Sequence, residues 1–402
     1  MLSSVYTIGP LATDLYLPAL PTVAADLGAS SSAIALTVTT FLLGLAFGQL
    51  LAGPLSDRYG RRPPLLVGLG VFTVTCLLCA LTPSAGIFIA LRLVQGLAGA
   101  AGIVIANAVV TDYARGREAA RLLSRMAVVS GLAPIVAPLI GAQLLLFMSW
   151  RGIFVVQAGL GILLCLAVAL GLRESLSPEK RQARGTGLAF RTMGMLSRDL
   201  SFMGLATSSA LAFVAFFAYL AASSFVYQDV YGASPVLFSA LFAVNAIGML
   251  IASQLNHRLL RSFTPQQLLG AGLSVGTGAG LAVLIVTLIG GLGIVALAVP
   301  LFILVASLGV VFPDSTALAL SLHPDVAGSA SAYFGTFRLG LGALATSLVG
   351  IGGAVSGLPM ASVIAVSSAA ALAVFAAVAA RTRGLTPVLD TPEEATADMP
   401  VG

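Results

Sequence analysis

Long apolar runs separated by short polar segments make up most of the chain. Each run is close to the roughly 20 residues that a helix needs to cross a hydrocarbon core about 30 Å thick. The runs are continuous rather than built from segments of about ten residues with alternating polarity, which excludes an outer-membrane β-barrel. The pattern therefore predicts an all-α membrane protein with twelve transmembrane helices, over residues 3–21, 33–55, 64–82, 86–112, 122–147, 152–172, 201–227, 235–258, 267–289, 293–318, 327–353 and 358–380.

One long polar interruption divides the predicted helices into two sets of six. Residues 173–200 mix basic and acidic side chains with Ser, Gly and Pro, and we interpret them as a cytoplasmic linker. The linker separates an N-terminal six-helix half, 1–172, from a C-terminal six-helix half, 201–380. The remaining residues, 381–402, are acidic and proline-rich, which predicts a disordered cytoplasmic tail.

A weak internal repeat relates the two halves. Arg61 after the second run and Asp112 near the end of the fourth are echoed by Arg261 and Asp314 at nearly the same spacing. Repeats of this kind are typical of membrane proteins whose halves enclose a site near the bilayer midplane. The sequence therefore predicts two pseudo-symmetric halves.

Charge fixes the predicted orientation in the membrane. The chain is 58% hydrophobic and 9% charged, whereas about a quarter of an ordinary soluble protein is charged. Of its 20 Lys and Arg residues, all but Arg92, Arg151 and Arg338 fall on one side of the twelve-helix scheme. Because cytoplasmic loops are enriched in basic residues, both termini are predicted in the cytoplasm, and the net charge of +5 needs no nucleic acid partner. No removable signal peptide is expected.

Ionisable side chains inside the spans are the first functional candidates, because each costs about 2.5–3.5 kcal/mol at a helix centre. Asp14 lies in the first span beside Pro18 and Pro21, which leave backbone carbonyls unpaired. Arg92 lies early in the fourth span and Arg338 within the eleventh. The alternative for such residues is a structural ion pair, or an arginine that extends toward the end of its span.

Glycines and prolines mark the places where helices are expected to pack closely or bend. Small residues let membrane helices approach one another, and prolines free carbonyls and bend a helix. The predicted packing positions are Gly53, Gly60, Gly96, Gly99, Gly102, Pro134, Pro138 and Gly141.

Three motifs carry a family resemblance. Residues 53–62 (GPLSDRYGRR) resemble the cytoplasmic loop motif between helices 2 and 3 of major facilitator superfamily transporters. Residues 14–21 (DLYLPALP) resemble the first-helix signature of the twelve-span drug:proton antiporter branch, specifically the Bcr/CflA subgroup of bicyclomycin and chloramphenicol or florfenicol exporters. Residues 92–102 and 134–154 are similar to its helix-four motif and its helix-five antiporter motif.

The resemblance implies roles for individual residues. Asp14 would be a proton- or cation-responsive acid, and Arg92 would assist proton coupling. A conformational latch on the cytoplasmic side would consist of Asp57, Arg61, Arg62 and Asp112. The chain departs from the subgroup at Tyr6, where some relatives carry a second acid, and at Arg338, where an uncharged polar residue is expected.

The energy source follows by elimination. The chain has no Gly-Lys-Ser/Thr loop for ATP phosphates, and its two histidines, His257 and His323, are predicted at the cytoplasmic surface. A buried carboxyl group remains, because burial and a movable cation act in opposite directions on its proton affinity. No nucleophile and base indicate an enzyme, and we expect no cofactor, metal, ATP or nucleic acid.

The sequence thus predicts a monomeric proton-coupled efflux antiporter in the bacterial plasma membrane that exports small amphipathic compounds, including antibiotics, by alternating access. A greasy cavity with few polar groups favours such compounds over sugars. A metabolite transporter of the same fold and a non-transporting membrane sensor are the alternatives. The predicted substrate contacts are Asp14, Tyr16, Gln95, Phe216, Tyr219, Asn245 and Arg338.

Overall fold

The computed structural model describes residues 1–114, 122, 126, 133, 135–176, 194–323, 326–350 and 357–382. All regular structure in these ranges is helical. The helices are α1 (Leu2–Tyr6), α2 (Ile8–Asp14), α3 (Leu20–Asp26), α4 (Ser31–Tyr59), α5 (Arg62–Leu81), α6 (Ala85–Tyr113), α7 (Ile135–Leu144), α8 (Trp150–Gly171), α9 (Leu200–Phe225), α10 (Pro235–Leu259), α11 (Pro265–Ile289), α12 (Gly293–Ser321), α13 (Ala327–Gly350) and α14 (Leu358–Thr382).

Nine helices in the described ranges are long and apolar enough to cross a membrane. They are α4, α5, α6, α8, α9 with its π-helical extension Val226–Val230, α10, α11, α12 and α14. The predicted eleventh span contains α13, and the predicted fifth span is described only in part, chiefly as α7. The structure is therefore that of a multi-pass membrane protein.

The predicted first span is not one continuous helix. It is divided into α1, α2, a 3-10 turn over Leu17–Ala19 and α3. Proline explains the second break: Pro18 and Pro21 have no N–H group to donate to the carbonyls four residues earlier, those of Asp14 and Leu17. The break therefore leaves Asp14 at the end of a short helix instead of in the middle of a long one.

The helices before residue 172 form one packed group and those after residue 199 form another, here called the N-terminal and C-terminal helix groups. In the first, α4 packs on α6, and α5 packs on both α6 and α8. In the second, α9 packs on α13 and α14, and α12 packs on α10 and α11. The groups meet where α4 contacts α13 and where α3 and the 3-10 turn contact α9 and α10.

Two of the predicted packing glycines lie at very close helix contacts. A Cβ atom at Gly96 would lie 2.0 Å from the carbonyl oxygen of Phe41 on α4, and one at Gly141 would lie 1.9 Å from that of Leu15. A Cβ at Gly102 would also be too close, at 2.6 Å from the Val5 carbonyl oxygen. Any side chain at these positions would force the helices apart.

The other predicted packing positions differ. At Gly53 and Gly99 a Cβ atom would meet its nearest neighbour at an ordinary 3.9 Å, so the close contact expected there is absent. Gly60 has φ 92°, a conformation that L-residues rarely adopt, and it makes the turn between α4 and α5. Pro138 lies within α7, and Pro134 lies outside the described residues.

Candidate functional site

Asp14 is a buried carboxyl group without a partner among the described residues. Its side chain is 6% exposed at the end of α2, and it makes neither a hydrogen bond nor an ion pair there. It lies within electrostatic range of Tyr219 on α9, across the boundary between the two helix groups. Burial without a cation favours the neutral form of a carboxyl group, so Asp14 is placed to bind and release a proton.

Arg92 approaches the same helix break from α6. Its Nη1 donates to the carbonyl oxygen of Ala12 at 3.3 Å and to Oε1 of Gln95 at 2.5 Å. The Ala12 carbonyl also accepts a hydrogen bond from Gln157 on α8, at 3.5 Å. A cation at the C-terminal end of a helix satisfies carbonyls that the helix leaves open and interacts favourably with its dipole. Arg92 therefore caps α2 one turn or less from Asp14, and does not form an ion pair with it.

Aromatic rings enclose the Arg92 guanidinium. Its central carbon lies 4.5 Å from the ring centroid of Tyr16, 4.3 Å from that of Phe41 and 5.9 Å from that of Phe154. The residue is fully buried, and its Nε and Nη2 have no hydrogen-bond partner among the described residues. Ring faces attract a cation, and the effect is stronger when both are shielded from water. Cation–π contacts and the helix cap together explain how a buried arginine is tolerated.

Two predicted substrate contacts, Tyr16 and Gln95, instead make hydrogen bonds within the N-terminal helix group. Tyr16 is fully buried, and its hydroxyl hydrogen-bonds Thr37 at 2.7 Å. Gln95 is also fully buried; it accepts from Arg92 and donates to the sulfur of Cys76 at 2.8 Å. Neither lines the cavity described next, because close packing among α2, α4, α5 and α6 turns both side chains inward.

The C-terminal helix group contains a cavity of 340 Å³ between α9, α10 and α12. Three of the predicted substrate contacts, Phe216, Tyr219 and Asn245, are among the residues that line it. Asn245 donates to the Tyr219 hydroxyl at 2.8 Å, so these two polar groups satisfy each other. Its other lining residues are mainly aromatic or aliphatic: Phe213, Phe242, Ala246, Met249, Leu250, Ser253, Val305, Leu308, Gly309, Phe312 and Pro313. A cavity of this size and lining suits a small amphipathic molecule.

Arg338 lies beside this cavity rather than on its lining. Its guanidinium carbon is 4.8 Å from the ring centroid of Phe213 and 5.0 Å from that of Phe312, and both rings line the cavity. The side chain is half-buried, and its Nε has no hydrogen-bond partner among the described residues. The structure thus places this predicted residue against two rings of the cavity that Phe216 and Tyr219 also line.

A charged cluster lies at the other predicted site, on the face that carries the α4–α5 turn. Arg61 Nη1 donates to Oδ1 of Asp57 at 2.5 Å, and its Nε donates to Oδ2 of Asp112 on α6 at 3.0 Å. Burial lowers the pKa of Arg61, but the hydrogen bonds to Asp112 and Asp57 outweigh it and raise that pKa above its ordinary value. The structure brings together Asp57, Arg61 and Asp112, three residues of the latch that the family resemblance implies, here called the arginine cluster.

The segment after α8 joins the arginine cluster. Glu174 accepts hydrogen bonds from the backbone N–H groups of Arg61, at 2.8 Å, and Arg62, at 3.1 Å. The Arg62 side chain donates to the carbonyl of Ala169, and Ser175 donates to Asp112 at 2.7 Å. All these residues belong to the N-terminal group and the segment that follows it. The cluster therefore ties α4, α5 and α6 to the start of the predicted linker.

The echoed positions of the C-terminal group have a different, neutral arrangement. Asp314 on α12 is 2% exposed; its Oδ1 accepts from Asn256 on α10 at 2.8 Å, and its Oδ2 has no partner among the described residues. Arg261, the residue that echoes Arg61, forms no ion pair with Asp314 among the described residues. His323, predicted at the surface, is instead half-buried and pairs with Asp199 at 2.7 Å. The repeat is thus retained in sequence position, whereas the ion pair of the N-terminal group is replaced by the hydrogen bond from Asn256.

Contacts between the groups include residues that the sequence analysis missed. Ser224 on α9 donates to the carbonyl oxygen of Leu17 at 2.7 Å, and Gln228 donates to that of Pro18 at 3.1 Å. The Leu17 carbonyl is the one that Pro21 leaves without a donor. The available signal was a pair of polar side chains near the end of an apolar span, opposite a proline break. The arginine cluster and these contacts between the helix groups are formed at the same time.

The fold and these sites define a polytopic membrane protein with a transporter-like architecture, and comparisons identify its family. The family model of the Major Facilitator Superfamily matches residues 2–347. The chain is 38% identical over 370 residues to the uncharacterized MFS-type transporter YdgK of Bacillus subtilis, covering 92% of each chain. It is 31% identical over 340 residues to the bicyclomycin resistance protein homolog of Haemophilus influenzae, covering 85% of each.

A solved structure shows the same fold. A bacterial homolog of the human lysosomal transporter Spinster superposes with a TM-score of 0.72 at 16% identity, covering 94% of each chain. The chain therefore belongs to the Major Facilitator Superfamily. It is a membrane transporter rather than an enzyme, and its relatives place it with the drug-efflux members of that superfamily.

Proposed function

We propose that the protein is a proton-coupled antiporter that exports small amphipathic compounds, including antibiotics, by alternating access. Its twelve spans would form two six-helix halves with both termini in the cytoplasm. The observation that carries this proposal is Asp14, a buried carboxyl group without a partner among the described residues, at a helix break that Arg92 caps. Relatives whose names describe bicyclomycin and chloramphenicol resistance support export and this substrate class.

The cavity supports an amphipathic substrate. Its lining offers aromatic and aliphatic surface, together with the paired polar groups of Tyr219 and Asn245. A sugar would leave many hydroxyl groups without hydrogen-bond partners there, and each unmade hydrogen bond of a buried group is costly. A flat, largely apolar molecule with few polar atoms would fill the cavity at lower cost.

The coupling step follows from the surroundings of Asp14. Substrate that enters the cavity beside Tyr219 changes the environment of Asp14, which lies within electrostatic range. Movement of α2 would also change the hydrogen bond from Arg92 to Ala12, and with it the field at Asp14. One proton moving down about 100 mV supplies about 2.3 kcal/mol, and each pH unit adds about 1.4 kcal/mol. One carboxyl group can therefore drive a gradient of a few hundredfold for a neutral substrate.

Alternating access would use the contacts between helix groups as gates. The hydrogen bonds from Ser224 and Gln228 to the 3-10 turn lie on the predicted periplasmic side and would break when the cavity opens there. The arginine cluster would act on the cytoplasmic side as a latch within the N-terminal half. Because Glu174 and Ser175 belong to it, this latch would transmit movement to the linker rather than hold the two halves together directly.

A susceptibility panel in an efflux-deficient bacterium tests the proposal. Cells that express the protein should tolerate higher concentrations of bicyclomycin, chloramphenicol or another amphipathic antibiotic, and a protonophore should abolish the difference. Cells expressing Asp14→Asn, at matched membrane abundance, provide the control. Growth protection that survives the protonophore would contradict proton coupling. Accumulation of a metabolite without any antibiotic phenotype would favour the metabolite transporter.

A further inference from the structure

Arg338 is a cation inside the predicted membrane region with no ion pair to any of the described residues. It lies near the middle of α13, a helix of 24 residues, with its guanidinium over the rings of Phe213 and Phe312. Its Nε is buried and makes no hydrogen bond to the described residues. Unlike Arg92, it donates no hydrogen bond to the end of a helix among the described residues.

The acidic residues that the structure describes leave this cation without an ion pair. The described ones place no carboxylate oxygen within 4.0 Å of the Arg338 guanidinium. The other acids lie in predicted loops or in the tail, outside the spans: Glu118, Glu179, Asp325, Asp390, Glu393, Glu394 and Asp398. Inside the predicted spans, Asp112 pairs with Arg61 and Asp314 accepts a hydrogen bond from Asn256, so Asp14 is the acid there without a partner among the described residues.

Position separates Arg338 from Asp14. Arg338 contacts Phe213, whereas Asp14 is within electrostatic range of Tyr219, six residues later on α9. Six residues of helix span about 9 Å. Arg338 therefore lies on the side of the cavity formed by Phe213 and Phe312, and Asp14 is not among the residues that line the cavity.

A guanidinium in these surroundings has capacity for an anion. Ring faces stabilise the cation without satisfying its N–H donors, and an arginine presents those donors in a fork that matches a carboxylate. A buried charge without a partner is costly, so an anionic group that enters the cavity would remove that cost.

We propose that Arg338 binds an anionic group of the substrate, and that the transported class therefore includes amphipathic aromatic carboxylates. The aromatic body would lie among Phe213, Phe216 and Phe312, with the carboxylate at Arg338. The anion would be held away from Asp14, which leaves that carboxyl group free to exchange its proton. This inference rests on the proposed export function, because it takes the cavity as the substrate site.

Binding to the purified full-length protein in nanodiscs tests the inference without requiring transport. The probes are 1-naphthylacetate and 1-naphthylacetamide, which differ in charge and hardly in shape. The wild type should bind the carboxylate at least about tenfold more tightly than the amide. Arg338→Gln should lose this preference and retain amide binding, and Arg338→Lys should keep part of it. Arg58→Gln is the matched control, because Arg58 also stacks on a ring, that of Tyr59, but on the exposed surface.

Three outcomes would overturn the inference. In the first two, the wild type binds neither probe, or binds both equally well. In the third, Arg338→Gln loses binding of both probes to the same degree, as expected if Arg338 only pairs with Asp14 in another state. Each is distinguishable from failure of the proposed function. A protein that protects cells from neutral antibiotics but fails these tests is an exporter without an anion site, and one that binds carboxylate but exports nothing has the site without the proposed function.

Discussion

The two helix groups each enclose an arginine, but they hold it in opposite ways. Arg92 in the N-terminal group is fully buried, caps α2 and lies among three aromatic rings. Arg338 in the C-terminal group is half-buried beside a cavity. It contacts two aromatic rings, and its Nε has no hydrogen-bond partner among the described residues. The fully buried Arg92 can hold the backbone beside Asp14 in place, whereas Arg338, which lies beside a cavity, can contact a ligand bound there. We therefore propose proton coupling for the N-terminal group and substrate selection for the C-terminal group.

The same contrast is found at the echoed positions near the predicted cytoplasmic face. Asp112 pairs with the charged Arg61, whereas Asp314 hydrogen-bonds the neutral Asn256. Repeats with nearly equal spacing therefore do not imply equal chemistry. Titratable and charged contacts are concentrated in the N-terminal group, where a proton could act on them.

The largest expected effect is that of Asp14→Asn. The amide keeps the size of the side chain and cannot titrate, so protection from antibiotics should fall to the level of cells without the protein. Asp229→Asn is the control, because Asp229 is an exposed acid on the π-helical extension of α9. Membrane abundance and growth inhibition are measured for both. Full protection of cells by Asp14→Asn would contradict the proposal that the N-terminal group couples export to protons through this carboxyl group.

Substitution of Arg92 should come next. Arg92→Ala leaves a void among aromatic rings and uncaps α2, which we expect to destabilise the protein by about 2–5 kcal/mol, as for other large-to-small core changes. Arg92→Lys keeps the charge but loses the planar stacking on Tyr16 and Phe41, so it should restore little activity. Unfolding in detergent and drug protection are measured together. A fully active Arg92→Lys would show that charge alone matters.

The echoed acids provide a matched pair with a smaller effect. Asp112→Asn leaves Arg61 short of a charged partner in a partly buried cluster and should cost about 1–3 kcal/mol of stability. Asp314→Asn keeps the size of a buried side chain whose Oδ2 has no partner among the described residues, so it should cost less stability than Asp112→Asn. Asp57→Asn should lie between them, at about 0–1 kcal/mol, because the Asp57 side chain is 56% exposed. Equal losses at Asp112 and Asp314 would contradict the contrast between the groups.

A final effect, on stability alone, concerns Asp199, the N-cap of α9. It accepts from the N–H of Ser201 at 2.8 Å and of Phe202 at 3.3 Å, so Asp199→Ala should cost about 1 kcal/mol, whereas Asp199→Asn keeps the cap. Burial raises the pKa of Asp199, but these hydrogen bonds and His323 outweigh it and hold the pKa below its ordinary value. Its stabilisation is therefore present above the ordinary pKa of aspartate and is lost as the pH falls through the lower folded-state pKa. Unfolding of the wild type and Asp199→Ala at neutral and acidic pH would show the difference shrink in acid.

Sequence reasoning reached the helices and the charged residues but not their partners. Apolar runs of spanning length predicted the long helices, and the loop motif predicted the residues of the arginine cluster. Pro18 and Pro21 indicated unpaired carbonyls in the first span. They did not indicate that Ser224 would donate a hydrogen bond to the Leu17 carbonyl. Local sequence states that a proline frees a carbonyl, but only packing decides which helix satisfies it.

The same limit explains the mixed placement of the predicted substrate contacts. Phe216, Tyr219 and Asn245 line the cavity, whereas Tyr16 and Gln95 are packed inside the N-terminal group. A polar residue in the middle of a span does not show which face of its helix is turned toward the cavity, because a membrane helix carries apolar residues on all of its faces. Close contacts such as that at Gly96 fix the rotation, and they depend on two helices at once.

Substrate-induced proton release from everted membrane vesicles is the most direct measurement of coupling through Asp14. Vesicles containing the wild type are energised, and a transported antibiotic is added while the internal pH is followed with a fluorescent probe. Proton efflux from the vesicles should accompany antibiotic uptake in the wild type and in Asp229→Asn, and should be absent in Asp14→Asn. Antibiotic-dependent proton release of wild-type size in Asp14→Asn would contradict the assignment of coupling to this carboxyl group.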